Sequence, residues 1–272
     1  MNGYFCRLIR IEEVKGMSFL QHLEELRWRL VRSVAVVLAI AVVLWWNMEW
    51  IMDNVFNSMM SSDFITYRIS CKYFGFMCMD SIPATLQSTT VGGQLSYAIM
   101  MCFMGGVVLS FPFLFYQIWS FVKPGLKANE KEIVKGITFY VSILFFLGII
   151  FGYFVVAPMS VQFFGTFTMS SKIENNFTVS SYMSTILSTI FYSGLFFLLP
   201  VVAYLFGKLG LISSGFMKKY RKHAIVGVLI LAAVITPPDM ISQIIVSIPI
   251  LALYEIGIFV VKRVEKARDR QK

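Results

Sequence analysis

The chain has 272 residues, 57% of them hydrophobic and only 14% charged, with a mean hydropathy of +0.72. Soluble domains carry about 25% charged residues, which argues against a cytosolic enzyme, a disulfide-stapled secreted scaffold and a disordered tail. The net charge of +9 gathers at the ends of long, unbroken apolar runs, which points to a membrane face rather than nucleic acid and does not fit the short alternating strands of an outer-membrane barrel.

A crossing takes about 20 apolar residues. The expected fold is therefore an all-α membrane protein with six transmembrane helices in one bundle, the last two short and both termini cytoplasmic. Residues 1–18 read as an N-terminal tail, either disordered or preceding a natural start at Met17. One transmembrane domain spans 19–262, with helices expected near 30–50, 96–119, 135–157, 182–206, 223–236 and 240–261, and 263–272 reads as a basic cytoplasmic tail.

The first run is entered through Arg27, Arg29 and Arg32 and left through Trp45, Trp46 and Trp50. It is too long for a signal-peptide core and reads as an uncleaved anchor. A mixed segment with Asp53, Asp63, Arg68, Lys72 and Asp80 follows, before the second run, whose helical part is placed from about Gln94. The third run is read as closed by Pro158, and its Gly148 and Gly152, four apart, permit close helix approach; ordinary packing is the plainer reading. In the fourth, Ser181, Thr185, Ser188, Thr189 and Ser193 form a polar stripe that suits interhelical hydrogen bonds or a substrate path equally well. The fifth offers only Ala224 to Thr236, about 20 Å of helix against a hydrocarbon core of about 30 Å. Thr236-Pro237-Pro238-Asp239 then reads as a tight turn, because neither proline can donate to a helix ladder, and the sixth run carries Pro249 and Glu255. Of the 24 basic residues, only Arg68, Lys72 and Lys172 fall in alternate loops, which sets the orientation.

The second, third and fourth runs hold no ionisable acid, base or histidine at membrane depth, where catalytic or proton-relay groups would stand. The two histidines, His22 and His223, lie at helix ends, and neither a metal-spaced cluster nor a phosphate loop is visible. No catalysis and no cofactor is expected. Glu24 and Glu25, beside Arg27, and Glu130 and Glu132, in the next loop on the same side, are surface ion-pair partners or an exposed carboxylate pair able to accept guanidinium forks. The order Phe19, Leu20, Leu23, Leu26 gives the Glu24–Glu25 segment an apolar face, suited to lying along the membrane or receiving an apolar ligand segment. Cys71 and Cys78 share an outer loop, where a local disulfide is possible, whereas Cys6 lies on the inner side and Cys102 within the bilayer.

Several motifs then resemble one family. His22-Leu23-Glu24-Glu25-Leu26-Arg27 with Arg29, and Phe111-Pro112 followed by Tyr116 to Leu126 with Glu130, resemble the N-terminal signature and first cytoplasmic loop of TatC, the receptor subunit of the twin-arginine protein translocase. Tyr153 to Pro158, Pro200, Thr236 to Asp239 with Ser242-Gln243, Ile248-Pro249 and Tyr254 to Gly257 continue the resemblance in order, over about Phe19 to Lys262. It implies a bacterial inner-membrane receptor for signal peptides with paired arginines, which recruits small single-span subunits and moves folded proteins on the proton-motive force, in a homo-oligomer or hetero-complex. Carried over by position, Glu25 and Glu130 receive the arginines, with His22, Arg27, Phe121, Pro124 and Leu126 around them. Asp239, Gln243, Pro200, Pro237 and Pro238 belong to partner contact and transport. Where many members carry Glu or Gln two residues before the fourth-helix proline, this chain has Leu198, with Ser193 or Gln243 as candidate substitutes. The competing classes are a secondary transporter, which calls for internal repeats and ion-coordinating broken helices, and a lipid enzyme, which calls for a catalytic constellation; neither feature is visible.

Overall fold

The computed structural model describes residues 19–61, 63–74, 85–122, 136–170, 176–235 and 240–269, without the side chains of 19–22, 74, 122, 234, 235, 240–242 and 269. Among these the regular structure is helical apart from one three-residue strand pair. Helix α1 (Phe19–Trp46) is followed by α2 (Met48–Ile51), a π and a 3-10 turn over Met52–Met60, α3 (Ile65–Phe74) and strand β1 (Thr85–Gln87). Then come α4 (Gly93–Val122), α5 (Ile137–Phe151), a π-helical turn over Gly152–Val156, α6 (Ala157–Thr166) and β2 (Asn176–Thr178). The chain closes with α7 (Val179–Phe196), α8 (Leu199–Lys208), α9 (Ser214–Lys219), α10 (Arg221–Ile235) and α11 (Met240–Asp269).

Five stretches, Leu23–Trp46, Gly93–Phe121, Ile137–Thr166, Val179–Lys208 and Gln243–Arg268, are long and apolar enough to cross a membrane. Helix is the form such runs take, because lipid offers backbone N–H and C=O groups no partner. At 15 residues α10 falls short of that length.

Several boundaries differ from the sequence expectation. The first helix starts at Phe19, so the amphipathic segment is the opening turns of α1 and not a separate surface helix. The third run does not close at Pro158 but continues to Thr166. A π turn precedes the proline, which sits in the first turn of α6, where its missing N–H costs little. The fourth run begins earlier, at Val179, and is broken at Phe197 and Leu198, because Pro200 in the first turn of α8 cannot donate into α7. At the chain's end, α11 extends through Lys262 to Asp269. Glu265 secures that extension by accepting from the Ser214 N–H at 3.0 Å and from the Ser214 hydroxyl.

Small residues decide where helices meet. A Cβ on Gly106 of α4 would stand 2.8 Å from the Val37 carbonyl of α1, so these two backbones touch. A Cβ on Gly148 of α5 would stand 2.6 Å from the Ser193 carbonyl and 2.8 Å from Gly194 Cα, and one on Gly152, the first residue of the π turn that continues α5, would stand 2.9 Å from Ile190 Cα, all on α7. The Gly148–Gly152 spacing is thus the seat of the α5–α7 contact. Several members of the polar stripe turn inward on their own helix: Ser193 is buried and donates to the Thr189 carbonyl at 2.8 Å.

The segment between α1 and β1 is packed against the bundle. Its core joins Phe56, Met59, Phe64 and Tyr67 to Met101, Ala157, Met159 and Tyr182. Three phenols tie it down: Tyr67 donates to the Met59 and Pro158 carbonyls, both at 3.0 Å, Tyr153 to Val55 at 2.9 Å, and Tyr182 to Phe56 at 2.6 Å. Burial pushes the Tyr67 phenol above its ordinary pKa, so it keeps the proton it donates. Cys71 of α3 is disulfide-bonded and Cys102 of α4 is a free, buried thiol; Cys78 lies outside the described residues. Strands β1 and β2 pair in parallel, Thr85 with Asn176 through Gln87 with Thr178.

Candidate functional site

Helix α1 carries Glu25 and Arg29 one turn apart, with the acid nearer the N-terminus, the order that favours an i,i+4 pair. Arg29 Nε and Nη2 donate to Glu25 Oε1 at 3.0 and 2.5 Å. The close α1–α4 packing at Gly106 brings the far end of α4 alongside, and Arg29 Nη1 donates to Gln117 Oε1 at 3.2 Å. Gln117 is buried, so a charged fork from one helix is anchored on the interior of the next. Around this link lies an open cleft of about 650 Å³ lined by Glu24, Glu25, Trp28, Arg29, Arg32, Tyr116, Gln117 and Ser120. Its lining sets two carboxylates beside the Arg29 and Arg32 guanidinium groups, with amide and hydroxyl groups and the Trp28 and Tyr116 rings, faces on which a planar guanidinium can stack.

Of the residues singled out from sequence, Glu25 lines this cleft, whereas Arg27 is exposed and does not. Phe121 follows the lining residues at the end of α4. Glu130, Pro124 and Leu126 lie outside the described residues, as do Asp239, Pro237, Pro238 and the His22 side chain. Gln243 is not among the residues that line the cleft and donates to the Leu229 carbonyl at 3.0 Å, joining α11 to α10. Pro200 is buried in the first turn of α8. Leu198 packs with Val201, Tyr204 and Leu205 against Trp119, Ile137 and Val141, and the Trp119 Nε1 donor is buried there without an acceptor among the described residues. Glu255 of the last run is paired with Arg221 at 2.5 Å, both side chains about half exposed.

Two features escaped the sequence reading. Gln117 is 88 residues from Arg29, and no spacing rule reaches that far. At the opposite end of α1 and α4 is a second cavity, of about 390 Å³, with Met48, Met52, Tyr97, Met101 and Met183 in its wall and Glu49 and Asp53 among its polar groups. Glu49 and Asp53, one turn apart beside Trp50, were its only sequence signal. Among the described residues no group of three His, Cys, Asp or Glu could hold a metal ion.

The family model described as Sec-independent protein translocase protein (TatC) matches residues 21–249. The chain belongs to the TatC family. It is 39% identical over 264 residues to the Sec-independent protein translocase protein TatC of Blattabacterium sp. subsp. Periplaneta americana, which covers 94% of this chain and 99% of that one. A Helicobacter pylori TatC is 35% identical over 246 residues, 90% of this chain and 88% of its own. A crystal structure described as the twin arginine translocase receptor TatC superposes with a TM-score of 0.65 at 26% identity, over 90% of this chain and 99% of that one. These TatC relatives are named as translocase components, a transport role rather than a catalytic one, and five spans mark this TatC chain as a multi-pass membrane protein.

Proposed function

We propose that this chain is the core receptor of a twin-arginine translocase in the bacterial inner membrane. It crosses six times with both termini cytoplasmic, α10 being the short fifth crossing. The cleft at the α1–α4 end binds signal peptides through their paired arginines, Glu25 and Glu130 supplying the carboxylates. With small single-span subunits the chain then moves folded proteins on the proton-motive force. His22, Arg27, Phe121, Pro124 and Leu126 border the peptide site, and Asp239, Gln243, Pro200, Pro237 and Pro238 serve partner contact and transport. The reading is supported above all by the Glu25 carboxylate in an open cleft on a chain of this family. Replacing Glu25 or Glu130 by Gln is expected to weaken crosslinking of a twin-arginine precursor about tenfold, the worth of one charged hydrogen-bonded contact, with insertion unchanged. Full crosslinking in both variants would overturn the assignment.

In this orientation α3 lies on the oxidising side, and the disulfide of Cys71 is taken to close on Cys78, in the same loop. Free, buried Cys102 is not a candidate. Non-reduced peptide mapping is expected to yield one linked species holding both residues. Recovery of Cys78 as a free thiol would contradict this pairing.

A further inference from the structure

Glu25, the carboxylate assigned to the ligand above, is already occupied. Both bonds from Arg29 end on Oε1, at 3.0 and 2.5 Å, and among the described residues none reaches Oε2. Arg29 has a second hold that does not involve Glu25: its Nη1 faces Gln117 Oε1 at 3.2 Å and the Gln117 carbonyl at 3.5 Å. The pair is more constrained than an ordinary surface contact, since the side chains of Arg29 and Glu25 are 21% and 29% exposed and Gln117 is buried.

We propose that Arg29 is an internal stand-in for the ligand's guanidinium, a residue that sets affinity by holding Glu25 in the empty receptor and yielding it when an arginine arrives. The proposal rests on the receptor reading above. Its chemistry follows from the two holds. An incoming guanidinium first engages Oε2, so the half-buried carboxylate is never left bare during the exchange. Arg29 then withdraws onto Gln117 and keeps a partner for its charge, which makes displacement cheap compared with stranding a cation in the cleft. Because every ligand displaces the same contact, the stand-in lowers all affinities by one common factor and leaves ratios between ligands untouched. A weak, single point charge then fails to occupy the site at its working concentration, whereas a pair of planar forks succeeds.

The test uses the purified full-length protein in detergent and two fluorescent signal peptides, one with paired arginines and the same sequence with paired lysines. Arg29→Lys keeps the charge and gives up the fork. It is expected to tighten both peptides by about fivefold, with their ratio unchanged. Arg29→Gln is expected to tighten them at least as much, and in a Glu25→Gln background neither substitution should matter, since there is no longer a contact to displace. Wild-type affinity in Arg29→Lys together with tightening in Arg29→Gln that persists without Glu25 would mean that Arg29 merely repels cations, and would overturn the proposal. Weaker binding in Arg29→Lys would overturn it too, by making Arg29 a direct contact. If Arg29→Lys does not accumulate, the Arg29→Gln arm decides through its dependence on Glu25. Wild-type protein that binds neither peptide would sink the receptor reading itself, a result separate from these.

Discussion

Inserting four leucines after Leu231 is expected to reduce transport by more than tenfold while twin-arginine peptides still bind. The apolar part of α10, Ala224 to Ile235, is about 18 Å long, well short of a hydrocarbon core of about 30 Å. Neighbours do not hide it. Val228 and Ala232 pack against Val156, Val246 and Ile250, but Ile225, Val226, Ile230 and Leu231 are exposed on the other side. In the proposed six-span topology lipid would meet this short helix directly, and thinning the membrane around it would cost a fraction of a kcal/mol per Å. Arg221 and Lys222 open α10 with charge at one end, and Gln243 ties α11 to Leu229, so in that topology α11 would share the defect. Thinner bilayer beside the proposed receptor would lower the barrier to a passing cargo. Four added residues lengthen α10 by about 6 Å and turn it by only about 40° beyond a full turn, which preserves its buried face. Relieving that much mismatch is worth roughly 2 kcal/mol, more than a factor of ten in rate. Full transport by a stably inserted variant would count decisively against a role for thinning.

The second large effect is expected at Gly148. A Cβ there meets backbone, the Ser193 carbonyl at 2.6 Å and Gly194 Cα at 2.8 Å, and nothing flexible can yield. Gly148→Leu must push α5 off α7, separating Phe145 and Val141 from their neighbours, at a cost of about 3 kcal/mol or more. Detergent-solubilised protein should lose its monodisperse elution profile at a temperature many degrees below wild type. Gly227→Ala on α10 is the matching control, because nothing lies within 4 Å of its added Cβ. There the gain in helix propensity, about 1 kcal/mol, should leave the protein as stable as before or slightly more so. Equal melting of the Gly148→Leu variant and wild type would remove the α5–α7 contact from the account.

What could be read from sequence was whatever a single segment determines. Apolar length revealed the spans, and the four-residue interval of Gly148 and Gly152 anticipated a contact because both residues lie on one helix face. Pro158 misled, since a proline ends a helix only when the preceding turn needs its N–H, and a π turn removes that need without a sequence mark of its own. Glu25 was legible as a carboxylate among bases. Its state was not, because the partner that anchors Arg29 is Gln117, a residue on another helix with no charge to advertise it. The tyrosine ties from Tyr67, Tyr153 and Tyr182 escaped for the same reason: their acceptors are backbone carbonyls, which every residue possesses.

The short strand pair has a consequence for the order in which the molecule can be assembled. Thr85 meets Asn176 across 91 residues, and everything between them is α4, α5, α6 and their connections. The pairing cannot exist until the chain has been threaded down through α4 and back through α5 and α6, which returns Asn176 to the side where Thr85 has been waiting. Closing so long a loop costs entropy that only finished helices on both flanks can offset. The strands are accordingly a seal and not a nucleus: they form late in biogenesis, and a chain in which one of the two intervening spans fails to insert leaves them on opposite faces of the bilayer, unpaired and open to quality-control proteolysis.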